Sequence, residues 1–215
     1  MDFFQIYYKD EQLKHLYPFA KPYYNEGLTI FFENVPISKL VMESTADKIA
    51  VCSWRLHQKS RNIFPVTKVA LESNYEVMGF RIVSKKHTMI AMLREWHKDA
   101  ITALDMLWNK LGYKRPGEAR HPIYMNHYAA RTDIYKDYVS NFLIPAMELI
   151  TKDEELNEIM CRPSGYGRLS KDADLKSVQS KLGMSDYPLC PFVLERSPSL
   201  YYEMKGVRIT YLPLA

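Results

Sequence analysis

Arg55, Lys59 and Arg61 follow closely on an unbroken apolar run, and together they have the chemistry to hold a diphosphate. Arginine offers phosphate oxygens a bidentate fork and lysine a mobile point charge. The same residues also suit an ordinary solvated basic loop. Trp54, just before them, can stack on a base or a sugar, or close the strand as a core aromatic. His97, His121 and His127 are the histidines expected to lie near one another. His97 stands beside Trp96 on an amphipathic segment, where it can move a proton or simply pack. Asn126 and His127 precede a helical pattern and can meet substrate there or serve as turn and capping groups. Glu195 and Arg196, adjacent on another helical pattern, can form an ion pair. Asp172-Ala173-Asp174 reads as acidic groups that cap a helix and meet its dipole, rather than as a metal site.

These residues need elements to position them. Ile49 to Trp54, within Lys48 to Trp54, is apolar without alternation, the pattern of a strand covered on both faces in a parallel sheet. Its basic sequel then lies at the strand's carboxyl end, where open α/β sheets bind ligands. Phe3 to Tyr8 and Tyr75 to Val83 read as further strands, with Gly79 marking a bulge or a close backbone approach. Asp10 to Leu16 reads as a helix stopped by Pro18 and Pro22, followed by a tyrosine-rich loop, and Leu28 to Phe32 as a strand or a buried turn. Ile37 to Glu43 has helical spacing. From Thr88 to Leu111 the apolar positions Met92, Leu93, Trp96, Ala100, Leu104, Leu107, Trp108 and Leu111 recur at three and four, predicting one long helix capped by Gly112. Thr132 to Ile150 predicts another, kinked at Pro145. Shorter helices are expected over Glu154 to Met160, Asp172 to Leu182 and Phe192 to Glu203, and a terminal strand over Val207 to Leu212.

At 215 residues the chain suits a single α/β domain: a strand-rich half over 1–85, a helix-rich half over 86–205 and a last strand over 206–215. A composition of 47% hydrophobic and 25% charged residues is that of a globular protein, not of a disordered or fibrous one. The formal charge of +4 permits an anionic ligand without demanding nucleic acid, and no nucleic-acid-binding pattern is present. Cys52, Cys161 and Cys190 are odd in number and far apart, which argues against zinc and against a disulfide framework. No apolar run approaches the ~20 residues needed to cross a bilayer. With no signal-like start either, the cytoplasm is the expected location. Dinucleotide, P-loop, zincin, serine-hydrolase and kinase signatures are missing.

Several separated segments resemble, in order, one family. Lys48 to Lys59 (KIAVCSWRLHQK) is similar to the strand, Ser-Trp-basic and Lys segment of small bacterial polysaccharide-biosynthesis glycosyltransferases. Trp96-His97, Gly112-Tyr113, the block from Tyr124 to Tyr138 (YMNHYAARTDIYKDY) and PFVLERSPS from Pro191 to Ser199 continue the likeness over residues 45–205. The resemblance implies a GT-A-like fold, with a mostly parallel central sheet flanked by helices. It implies a nucleotide-sugar donor, a glycan acceptor and a bacterial or phage setting, with a virion location if the chain is phage-encoded. Donor binding would fall to Trp54, Arg55, Lys59 and Glu76, and acceptor binding to Asn126, His127 and Arg196. Catalysis would fall to Glu195, as the base for the acceptor hydroxyl, and to His97. Pro198 departs from the family's apolar continuation and is expected to shorten that helix.

Such enzymes usually hold manganese or magnesium, and through it the donor diphosphate, on an Asp-x-Asp after a central strand. Here that place reads Glu76-Val77-Met78, without a second carboxylate, so no metal ligand is assigned. The alternative function is a non-catalytic interaction or phage-structural protein on the same scaffold. It would bind protein partners through exposed members of its 16 tyrosines.

Overall fold

The computed structural model describes residues 1–56, 72–80, 88–97, 99–169 and 174–211, with the side chains of 168 and 169 left aside. Within it the first strand is β1, Asp2–Tyr7. A 3-10 helix over Asp10–His15 follows where a helix was expected. None of its residues is buried, so no apolar face holds a longer α-helix in place. β2, Lys21–Tyr24, falls in the expected tyrosine loop. It lies at the sheet edge, where Pro22 costs no ladder bond. Leu28 to Phe32 forms no strand, and the chain turns there into α1, Asn34–Glu43.

β3, Lys48–Ser53, is the central element. Its side chains alternate between two cores, as a period of two requires. Ile49 and Val51 join the large core, which includes Leu93, Leu104 and Leu107. Ala50 and Cys52 face a smaller one with Phe3, Tyr75, Met78 and Phe80. Burial on both faces is the arrangement the unbroken apolar run predicts.

Beyond it the six strands described are ordered β2-β1-β3-β5-β4-β6, where β4 is Val77–Gly79, β5 Tyr128–Arg131 and β6 Ile209–Tyr211. β1 pairs in parallel with β2 and β3, and β4 with β6, while β5 runs antiparallel to both of its neighbours. The sheet is therefore mostly parallel, with one reversed strand. Close approach explains Gly79: a Cβ there would stand 3.0 Å from the Tyr211 ring.

Two helices replace the single one expected over Thr88 to Leu111: α2, Met89–Trp96, and α3, Ala100–Lys110. The break holds Asp99 at a φ of 67°. Both helices pack on the same core, so their apolar spacing runs on through the break, but Trp96 is 49% exposed. Past Gly112, α4 (Thr132–Tyr138) continues through a π-helical turn, Val139–Leu143, into α5, Ile144–Lys152. Pro145 is the second residue of α5, directly after the π-helical turn. The Asn141 carbonyl, which an amide at position 145 would have met, accepts instead from the Tyr113 hydroxyl at 3.0 Å.

α6, Glu154–Met160, matches the expectation, and a short α7 covers Tyr166–Leu169. α8, Leu175–Leu182, is capped by Asp174, whose carboxylate accepts from the Ser177 amide. Asp172 and Ala173 lie outside the described residues. α9 runs from Cys190 to Lys205 straight through Pro198, so the proline does not shorten it. None of the described helices is long and apolar enough to cross a membrane.

Candidate functional site

A cleft of about 900 Å³ opens above the carboxyl ends of β1 and β3. Val51 and Ser53 from β3 form part of its floor, and Trp54 and Arg55 continue from that strand's end. Tyr8, following β1, and the 3-10 helix make one side, while α8 and the start of α9 make another. Crevices at strand carboxyl ends are where open α/β sheets gather ligand groups.

Of the residues singled out in the sequence, Trp54, Arg55, Asn126 and Glu195 line this cleft. His127 lies beneath it, buried, with Nε2 at 3.3 Å from the Ser53 hydroxyl. Arg196 stands behind Glu195, with Nη1 at 3.0 Å from its Oε2. Glu76 is not brought here. It precedes β4 at the opposite end of the sheet, where its carboxylate accepts from the Arg208 amide at 2.7 Å.

His97 is not in the lining either. Its ring is buried flat against Phe192, with centroids 4.0 Å apart, and Nδ1 meets the Ser164 carbonyl at 3.1 Å. Burial lowers its pKa, more than that hydrogen bond restores it, so His97 packs as a neutral ring. His121 lies beside Tyr211, with ring centroids 6.1 Å apart. Lys59 and Arg61 fall outside the described residues.

Aromatic rings dominate two walls. Trp54 lies between His15, at 5.8 Å between centroids, and the Arg55 guanidinium, 5.2 Å from its ring. Phe32 stacks on Tyr187 at 5.5 Å, Tyr187 meets Tyr166 at 5.2 Å, and Tyr166 meets Phe192 at 5.3 Å. Faces of this kind suit bases and sugar rings. Burial pushes the Tyr187 hydroxyl above its ordinary pKa, with the hydrogen bond from the Asp174 amide and then the Arg55 charge pulling part of the way back. Burial and then the nearby Glu33 charge push the Tyr8 hydroxyl well up, so both remain protonated.

Backbone strain gathers at the same place. Phe32, Met125 and Asn126 all have positive φ, at 50°, 58° and 53°, and all three line the cleft. Asn tolerates that region, but Met and Phe pay for it. Such conformations persist only when the surroundings enforce them, and they cluster at functional sites. Part of the enforcement is visible on α9. The buried Ser199 hydroxyl accepts from the Ile123 amide at 2.7 Å and donates to the Ile123 carbonyl at 3.2 Å, tying the Ile123 to His127 segment to the helix that carries Glu195.

Among the described residues, four cations and four carboxylates line the cleft: Lys9, Lys14, Arg55 and Lys181 against Glu11, Glu33, Asp174 and Glu195. Asp174 is committed to its helix cap and to Lys9 at 3.1 Å. Burial alone would raise its carboxyl, but the Ser177 hydroxyl and amide and the Lys9 ammonium outweigh that and hold it low. Glu195 is spent on Arg196 through Oε2, whereas its Oε1 is enclosed and accepts no hydrogen bond among the described residues. No group of three or more His, Cys, Asp or Glu side chains among the described residues is placed to hold a metal ion.

Tyr8, Lys14, His15, Phe32, Tyr166, Lys181, Tyr187 and Phe192 had no sequence signal of their own. They come from four separated stretches of chain and acquire a common purpose only through the topology. Comparison with family models, with curated proteins and with solved structures finds no match.

Proposed function

We propose that this chain is a GT-A-like glycosyltransferase that seats a nucleotide-sugar donor in the cleft and transfers its sugar to a glycan acceptor. The observation that carries the reading is the Glu195 carboxylate in the wall of a cleft that also presents Trp54 and Arg55. A carboxylate at a cleft wall is the kind of base that an acceptor hydroxyl needs in a sugar transfer.

In this scheme the acceptor hydroxyl gives its proton to the Glu195 carboxylate as its oxygen bonds to the anomeric carbon. The bond from that carbon to the donor phosphate breaks, and the leaving phosphate keeps the electron pair. Arg55 meets the charge that develops there. Arg196 positions Glu195, and Trp54 with Arg55 forms the donor side. Asn126 lies on the acceptor side, with His127 supporting it from beneath through Ser53.

The mostly parallel sheet and the cleft at the ends of β1 and β3 accord with the architecture that the resemblance of Lys48 to Lys59 implies. The alternative of a tyrosine contact surface receives less support. Tyr75, Tyr124, Tyr128, Tyr135, Tyr138, Tyr201 and Tyr202 are all buried in the cores. Thermal-shift measurements with UDP-, GDP-, dTDP- and CMP-sugars test the proposal, because a ligand that binds the native state raises its stability. A rise with one donor class supports it, and no rise with any of them counts against it.

A further inference from the structure

Metal-using sugar transferases place a divalent cation on paired carboxylates to hold the donor diphosphate. The residues of this cleft do not fit that role. Asp174 is held by Ser177 and Lys9, and Glu195 is held on one side by Arg196. Glu33 lies against the Tyr8 hydroxyl, and Glu11 stands exposed on the 3-10 helix.

The rest of the sequence does not make up the deficit. Residues 57–71 and 81–87, which follow β3 and β4, hold Lys59, Arg61, Lys68, Arg81, Lys85 and Lys86 but no Asp or Glu. Among all residues outside the described set, Asp172 is the single acidic side chain.

Fixed cations are available instead. Lys14 on the 3-10 helix and Lys181 in the last turn of α8 both line the cleft, and neither forms an ion pair among the described residues. Lys14 and Lys181 belong to separate elements, and Arg55, from the segment after β3, lines the same cleft. Resting on the nucleotide-sugar reading above, we infer that the cleft binds a nucleoside diphosphate without a metal ion, with Lys14, Lys181 and Arg55 in the place of the cation. Ammonium groups on flexible stems can follow the two phosphates, while the guanidinium supplies the directional contact.

Calorimetric titration of the full chain with UDP, GDP, CDP, ADP and dTDP, in EDTA and separately in manganese, tests this. The expected result is binding of at least one diphosphate in EDTA with an affinity that manganese leaves within about threefold. The same affinity falls by about tenfold or more in Lys14→Ala/Lys181→Ala, the loss expected for charge-assisted contacts to phosphate. Both lysines are exposed, so the double variant should fold, and circular dichroism verifies that it does. Binding that appears only with manganese overturns the inference but leaves the nucleotide reading standing. Metal-free binding that the double variant retains overturns the assignment of the lysines. Failure of every diphosphate under both conditions overturns the nucleotide reading itself.

Discussion

Glu195 and Arg196 are consecutive on α9, yet their side chains meet at 3.0 Å inside the protein. Neighbours one apart on a helix point about 100° away from each other, so both side chains must bend to make this contact. The result separates two roles: Arg196 is enclosed, and Glu195 looks into the cleft. Removing the carboxylate should therefore leave a buried guanidinium without its counter-charge. Glu195→Ala is expected to lose about 2–4 kcal/mol of stability in urea unfolding. Glu195→Gln also removes that counter-charge but keeps an oxygen for Arg196, so it should lose less than the alanine variant while sugar transfer falls by about a hundredfold or more.

Trp54 offers its ring to the cleft between His15 and Arg55. Replacement by alanine should weaken donor binding by about tenfold, in line with about 1–3 kcal/mol for one base on one aromatic face. Phenylalanine should restore much of it. Calorimetric titration of the two variants with the same donor makes the comparison.

Gly79 lies against the Tyr211 ring, which is itself fixed by a hydroxyl bond to the Pro122 carbonyl at 3.0 Å. A methyl group at position 79 must push that ring away from β4. Gly79→Ala should cost about 1–3 kcal/mol in equilibrium unfolding. Adding Tyr211→Ala to it should recover part of the loss that the glycine substitution causes on its own.

His97 makes stability depend on pH. Burial lowers its folded pKa below the ordinary value of 6.5, so the unfolded chain binds its proton more readily than the native one. Its contribution is complete above pH 6.5 and is lost as the pH falls from there toward the folded pKa. Unfolding midpoints for wild type and His97→Gln, compared between pH 7.5 and 5.5, should show the steeper acid-side fall in the wild type.

The part of the fold visible in the sequence is the part fixed by local pattern. β3 announced itself because burial on both faces forbids polar residues along it, and α6 because its acidic first turn and apolar spacing agree. β5 did not: Tyr128–Arg131 is four residues long with two alanines, and its place between β3 and β4 is set by long-range pairing. The break at Asp99 was hidden because both flanking helices face one core. At the site, Trp54 and Arg55 could be found from the end of β3, and Glu195 and Asn126 through the resemblance. Lys14, Lys181 and Tyr187 could not, since nothing local marks a surface lysine or a loop tyrosine that topology later brings to a cleft.

The central claim is that the cleft above β1 and β3 takes a nucleotide sugar, and Met125 in its lining is the most direct reporter. With methionine methyl groups labelled with carbon-13 and the Met125 signal identified from Met125→Leu, titration with UDP-, GDP-, dTDP- and CMP-sugars can be followed by nuclear magnetic resonance. The account predicts that at least one donor moves the Met125 methyl signal saturably while the core signals of Met78 and Met89 stay in place. A Met125 signal that no donor in the panel displaces would contradict it.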